Sequence, residues 1–242
     1  MLDFSDVSKA FNGITVVHPF SLSIKAGEVV VLLGPSGCGK TTILRMVAGL
    51  VLPTSGGITV DSVPLNYQTI SAVRRKLGYV IQEGGLFPHL TGVENVTLMA
   101  RHEGWPRKRM DDRLAELVEM TEFPQSCLDR YPNELSGGQR QRLSLMRALF
   151  LHPRILLLDE PLGALDPLIR AGLQRDLHQV FAQTGATVLL VTHDLVEASR
   201  LANRVCVMNA GRIVQRGRFA EILENPSDEF VREFVGSQVV AP

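Results

Sequence analysis

The chain has 242 residues, 45% of them hydrophobic, with a mean hydropathy of +0.12, enough for one large domain or a domain plus a subdomain and too apolar for a disordered chain. Its 25 basic and 25 acidic residues sum to a formal charge of zero, which argues against a nucleic-acid partner, because proteins that live on phosphate backbones carry a basic excess. No apolar run approaches bilayer-spanning length and Met1–Asp6 is too acidic for a signal peptide, so the expectation is a cytosolic protein whose membrane work goes through a partner.

In chain order, Leu2, Phe4, Val16, Phe20, Leu22 and Ile24 fall on alternating positions of short β runs, and Asn12-Gly13 is a hairpin-turn dipeptide. Ala26-Gly27 turns the chain into the apolar strand Val29–Leu33. Directly after it stand Gly34, Pro35, Ser36, Gly37, Cys38, Gly39, Lys40 and Thr41, then a helix from Thr42 that stops at Gly49. Strand, glycine loop and helix at the spacing G-x-x-x-x-G-K-[ST] form a phosphate cradle. Glycines let backbone N–H groups converge on one anion, and the helix start adds unpaired N–H groups and the positive end of its dipole. Lys40 can reach the β and γ phosphates of a nucleotide, and the Thr41 hydroxyl can ligand a magnesium ion. Cys38 has two readings, a small filler residue or a thiol whose pKa is depressed by the helix start. With Cys127 and Cys206 it shows no metal-ligand spacing and no disulfide framework.

Leu52–Gly57 is turn chemistry, Ile58–Val60 and Val63–Leu65 suggest a short hairpin, and Leu77–Ile81 a buried strand ending at Gln82–Gly85. The basic clusters Arg74–Lys76 and Arg107–Arg109 are read as solvated helix faces. From about Thr91 to Phe150 the character is helical. A capping box of Thr91 with Glu94 leads into Val93–Arg101, Met110–Met120 carries Leu114, Leu117 and Val118, and Ser136 with Gln139 caps Arg140–Phe150. Strands and helices then alternate: Ile155–Leu158, Leu168–Thr184, Thr187–Val191, and a helix capped by Asp194 and Glu197. A hairpin over Val205–Met208 and Ile213–Val214 precedes the tail helices Glu221–Glu224 and Asp228–Val235. The expected fold is α/β, a P-loop NTPase core with a mostly parallel sheet, an N-terminal antiparallel β subdomain and an inserted α-helical subdomain. The expected organisation is one nucleotide-binding domain over 1–236, with its core at about 1–87 and 151–219 and the helical part at about 88–150. A short helical tail covers 220–242.

A phosphate loop needs a metal carboxylate and a group to orient water. A parallel strand ending in Asp159-Glu160 delivers both to the ligand-binding edge of such a sheet, Asp159 for magnesium and Glu160 for the attacking water. Gly137-Gly138 weaken a helix start, which makes sense if another backbone or a phosphate must come close.

The run Leu135-Ser136-Gly137-Gly138-Gln139, upstream of Asp159-Glu160, resembles the signature of the ATP-binding cassette family of ATPases. Other positions are similar to that family. Gln82 resembles the glutamine loop, which contacts the magnesium site and relays to a membrane partner. Ala164-Leu165-Asp166 resembles the loop that crosses the dimer seam, and His193 the switch histidine on the γ-phosphate. Phe11 stands where an aromatic, often tyrosine, stacks on adenine. Singly, Gln82 also reads as a turn residue, His193 as a histidine satisfied near Asp194, and Phe11 as part of an apolar face. The resemblance spans about Leu2 to Gly217. It implies that two copies sandwich two ATP molecules head to tail, the Ser136–Gln139 turn of one closing over the γ-phosphate held by Gly34–Thr42 of the other.

A transporter motor and a soluble cassette ATPase working on DNA, chromosomes or ribosomes are the two classes. The short helical insert lacks the coiled coils of the chromosomal class, and a single cassette is unlike most ribosomal relatives, which favours the motor. Gly78–Thr91 and the tail Asp228–Gly236 are similar to bacterial importers of glycine betaine, choline and related osmoprotectants. The implied partners are a second copy, permease subunits docking near Gln82–His89 with Leu86, Phe87 and His89 in the groove, and, indirectly, a solute-binding protein. The implied location is the cytoplasmic face of the membrane. Two departures stand against the osmoprotectant reading: the sequence stops at Pro242, short of paired regulatory domains, and Ile43–Leu50 looks more like importers of amino acids, anions or sugars.

Overall fold

The computed structural model describes residues 2–82, 84–163 and 166–239. Strands β1 (Leu2–Phe11) and β2 (Ile14–Ile24) form a hairpin whose two-residue turn has both residues left-handed, Asn12 at φ 49° and Gly13 at φ 80°. β3 (Val29–Leu33) runs into the glycine loop and α1 (Lys40–Val47). β4 (Ser55–Val60) and β5 (Val63–Pro64) return to the hairpin, giving a four-stranded antiparallel sheet in the order β2-β1-β4-β5.

After α2 (Ile70–Arg74) comes β6 (Leu77–Val80), followed by three helices, α3 (Gly92–His102), α4 (Arg107–Met120) and α5 (Gly137–Leu149). The chain then alternates through β7 (Ile155–Asp159), α6 (Pro167–Thr184), β8 (Thr187–Thr192), α7 (Leu195–Leu201) and β9 (Arg204–Asn209). It closes with β10 (Arg212–Gly217), α8 (Phe219–Glu224) and α9 (Glu229–Val239). The second sheet has the order β10-β9-β3-β8-β7-β6, parallel throughout except for β10 at its edge.

Every residue of β3, β7 and β8 is buried, the pattern of strands covered on both faces. Alternation decides which neighbour each meets. Val31, Leu33, Leu156, Leu158 and Leu190 pack with Leu143, Met146, Leu173 and Leu177 of α5 and α6. Val30, Leu32, Leu157, Leu189 and Val191 pack with Ile43, Leu44 and Val47 of α1 and with Leu2, Phe4 and Ile24 of the antiparallel sheet. Because β3, β6, β7 and β8 are parallel, the glycine loop, Gln82, Asp159-Glu160 and His193 all emerge at one edge.

Four local readings are corrected. Register shifts along the β1–β2 pair turn Val17, not Val16, fully into the core. β4 begins at Ser55, inside the stretch read as a turn, because Ser55 and Gly57 pair with β1. Arg74 is not a solvated charge: its Nε and Nη2 donate to Ala48 O (3.1 Å) and Gly49 O (3.0 Å), capping the C-terminal carbonyls of α1. Glu197 does not cap α7. Asp194 accepts from Val196 N and Glu197 N of the first turn, while Glu197 is 1% exposed and buried. The capping boxes of Thr91 with Glu94 and Ser136 with Gln139 are both formed.

Candidate active site

The glycine loop is shaped by contacts that only glycine permits at two places. A Cβ on Gly34 would lie 2.3 Å from Met208 O, so the loop leaves β3 pressed against β9. Gly39, the N-cap of α1, sits at φ 102°, a conformation L side chains rarely adopt. No side chain caps α1 and no acidic residue lies in its first turn, so its free N–H groups and dipole face the loop unopposed. Lys40, 4% exposed, donates from Nζ to Gly34 O (2.7 Å) and Pro35 O (2.8 Å), which ties the loop into a ring around the ammonium. Among the described residues its third proton has the Cys38 sulfur nearby, at 3.9 Å. Burial pushes the Cys38 thiol up, against the pull of Lys40, so the reading of a depressed, reactive thiol is corrected to that of a buried filler.

Across the loop, Thr41 Oγ1 donates to Asp159 Oδ1 at 2.8 Å. Burial raises the Asp159 pKa; the Thr41 hydroxyl opposes that, Glu160 adds to it, and Arg45 and Tyr79 oppose it. Tyr79 Oη lies 3.5 Å from Asp159 Oδ2, and burial together with that carboxylate holds the phenol at about 12, so it stays a neutral donor. Glu160 follows at φ 45°, its N–H on Val191 O at 2.9 Å, so the chain breaks out of the sheet there. Glu160 Oε1 lies 3.4 Å from His193 Nδ1.

A cavity of about 370 Å³ gathers Ser36, Gly37, Gly39, Lys40, Thr41, Thr42, Gln82 and Glu160, with Val16 as an apolar wall. Of the residues predicted from sequence, these come together, with Asp159 and His193 joined to them through Thr41 and Glu160. Phe11, 42% exposed, stands on the hairpin with Lys9 Nζ 4.8 Å from its ring centroid. Ser136–Gln139 and Asp166 do not line this cavity, and Ser136 and Asp166 are exposed. Ala164 and Leu165, named with Asp166, lie outside the described residues. Another cavity, of about 480 Å³, opens among Asp61, Arg113, Glu116, His152 and Arg154 and includes none of the predicted residues.

Sequence reasoning missed Tyr79 and Arg45. Arg45 stands one helical turn after Thr41, and Tyr79 lies on the strand paired with β7; either relation could have found them. The oxygen donors of Thr41 and Asp159 are those magnesium prefers, an ion that keeps most of its ligands as water and phosphate.

The family model described as ABC transporter matches residues 17–163. The chain belongs to the ABC transporter family. It is 44% identical over 239 residues to the glycine betaine/carnitine/choline transport ATP-binding protein OpuCA of Bacillus subtilis, which covers 98% of this chain and 63% of that protein. It is 41% identical over 236 residues to the glycine betaine uptake system ATP-binding protein YehX of Escherichia coli, covering 98% of this chain and 77% of that one. The fold superposes on the dimeric structure of MJ0796, a bacterial ABC transporter cassette, with a TM-score of 0.82 and 33% identity, covering 90% of this chain and 99% of that one. The chain thus spans less than two thirds of the length of OpuCA. As an ABC transporter cassette it carries the expected architecture, a largely parallel sheet beside an antiparallel one, with helices packed on them.

Proposed function

We propose that this chain is the ATP-binding and ATP-hydrolysing subunit of a membrane importer for glycine betaine, choline or a related osmoprotectant, working as a head-to-tail dimer. The observation that carries the ATPase reading is the meeting of the Gly34–Thr42 cradle with Asp159 and the Glu160–His193 pair at one sheet edge. The solute class rests on the names of OpuCA and YehX.

Backbone N–H groups of the loop and α1 bind the phosphates of ATP, with Lys40 offering its third proton. Thr41 and Asp159, with Gln82 beside them, hold Mg2+, which when bound neutralises charge on the phosphates. Glu160 accepts a proton from the attacking water, and His193 orients that carboxylate and reaches the terminal phosphate. Phe11 supplies a face for adenine. Ser136, Gly137, Gly138 and Gln139 serve the nucleotide of the second copy, with Asp166 at the seam. The helical part, about 88–150, acts as a unit against the core at about 1–87 and 151–219.

No helix among the described residues is long and apolar enough to cross a membrane. The coupling partner in this reading is a permease, docked on the region from Gln82 to His89, where Phe87 is 43% exposed, at the cytoplasmic face of the membrane. A solute-binding protein acts through that permease, and no nucleic acid is involved.

Glu160→Gln tests the scheme. It removes the proton acceptor and keeps the shape, so turnover falls by roughly a hundredfold or more while ATP and magnesium still drive dimerisation. Size-exclusion chromatography that shows this variant monomeric at saturating ATP and magnesium counts against the scheme.

A further inference from the structure

One chain carries two half-sites, the Gly34–Thr42 cradle and the Ser136 turn, and helix α6 touches the second and, through Asp194, the loop that brings His193 to the first. Its first turn abuts the Ser136 turn, because a Cβ on Gly138 would come within 2.8 Å of Ile169 Cγ2. One residue further on, Arg170 Nη1 lies 3.1 Å from Asp194 Oδ2. The other oxygen of Asp194 accepts from Val196 N (2.7 Å) and Glu197 N (3.1 Å), so this carboxylate divides between the start of α7 and the guanidinium of α6. His193 immediately precedes Asp194, with Nδ1 3.4 Å from Glu160 Oε1.

Lower down, the same helix is tied on both sides again. Arg142 of α5 pairs with Asp176 of α6 at 2.7 Å, and Arg200 of α7 donates to Gln174 of α6 at 2.6 Å. α6 is therefore a strut fixed at two levels to the helix that follows the Ser136 turn and to the helix that follows His193.

We propose that Arg170 is a positioning residue for His193. Through Asp194 it holds the His193 loop, and through the turn it shares with Ile169 it links that loop to the Ser136 turn of the same chain. This rests on the dimer reading above and adds a consequence to it: a nucleotide of the second copy, seated on the Ser136 turn, sets the placement of His193 at the chain's own site. A packed helix tied in its first turn and again at Gln174 and Asp176 resists local deformation, so a small displacement of its first turn is carried to Asp194. The two sites of the dimer then hydrolyse cooperatively because each chain carries this link.

The test uses the full chain and four variants, Arg170→Gln, Arg170→Lys, Asp194→Asn and Arg170→Gln combined with His193→Ala. Arg170→Gln is expected to lower kcat about tenfold, leave KM for ATP within about twofold, and bring the Hill coefficient of hydrolysis toward one. Asp194→Asn retains the α7 cap, since Asn caps as well as Asp, but drops the charge, and reproduces the same loss. It approaches the ion pair from its other member, so it decides the matter if Arg170→Gln does not fold. Arg170→Lys recovers most of the rate. In the His193→Ala background Arg170→Gln adds no further loss, because its route to the reaction is already gone.

ATP-driven dimerisation of Glu160→Gln, followed by light scattering, survives the added Arg170→Gln substitution. A wild-type kcat and Hill coefficient in Arg170→Gln or Asp194→Asn would overturn the proposal, as would an Arg170→Gln loss of equal size with and without His193. Failure of the Glu160→Gln protein itself to dimerise would instead strike the dimer reading, a separate result.

Discussion

Glu197 offers a stability measurement whose sign and size follow from its burial. The carboxyl is 1% exposed beneath α7, and its Oε2 has no hydrogen-bond partner among the described residues. Burial pushes its pKa from the ordinary 4.5 up to about 7, with the Thr192 hydroxyl opposing, Asp194 adding to the rise, and Arg170 and His193 opposing it. Below pH 4.5 the group is protonated in both the folded and the unfolded chain. Between 4.5 and about 7 the unfolded chain has released the proton and the folded one keeps it, so each increment of pH favours unfolding. At 1.36 kcal/mol per pH unit, that window amounts to about 3 kcal/mol lost to the wild type by neutral pH. Glu197→Gln is neutral throughout and does not take part in this loss. Urea unfolding of both proteins from about pH 5 to about pH 8 should show the variant gaining roughly 2–3 kcal/mol on the wild type, with the gain levelling off above neutrality. A difference between the two proteins that does not change with pH would refute the account of a buried, proton-retaining carboxyl.

Two further substitutions address the nucleotide. Phe11→Ala removes the exposed ring on the hairpin and should weaken ATP binding by roughly tenfold or more, at about 1–3 kcal/mol for base stacking, whereas Phe11→Tyr leaves it unchanged. Calorimetric titration with an unaltered Kd for Phe11→Ala would remove the residue from the site. Ser136→Arg fills the turn with a bulky cation and is expected to leave ATP binding intact while hydrolysis disappears, measured as phosphate release. Normal release would rule out a site shared between chains.

The elements that sequence reasoning placed well are those whose chemistry is local. The glycine loop, the Asn12-Gly13 turn and the Thr91 and Ser136 capping boxes each declare themselves within eight residues, and the structure forms all of them. The misplaced residues depend on partners distant along the chain. Val17 replaces Val16 in the core because of shifts in pairing with β1, and Arg74 meets α1 across a fold that no local pattern reveals. Glu197 looked like a cap because it stands three residues after Asp194, yet the packing of α7 on β3 and β8 turns it inward. Tyr79 and Arg45 escaped for a similar reason, since their common partner Asp159 stands 80 residues from the first and further from the second.

The Ser136 turn bears on the proposal that two chains share each site. Its capping box consumes the Ser136 Oγ lone pair through Gln139 N (3.2 Å) and satisfies Ser136 N with Gln139 Oε1 (2.9 Å). Arg140 N returns to Ser136 O at 2.9 Å. The amides of Gly137 and Gly138, at the first two positions of a 13-residue helix, have no intrahelical acceptor by geometry. Together with the hydroxyl proton of Ser136 they form a concentration of donors at the positive end of α5, suited to an anion. Yet the acidic side chain that would ordinarily occupy such a place is missing from the first turn, and the phosphate cradle of the same chain lies in a cavity this turn does not line. Gly138 is further required by Ile169, because a Cβ there would come within 2.8 Å of Ile169 Cγ2, which keeps the start of α5 close against α6. The donors of the Ser136 turn and the nucleotide cradle of the same chain lie apart, an arrangement that suits the head-to-tail dimer proposed above, in which a second copy faces the first.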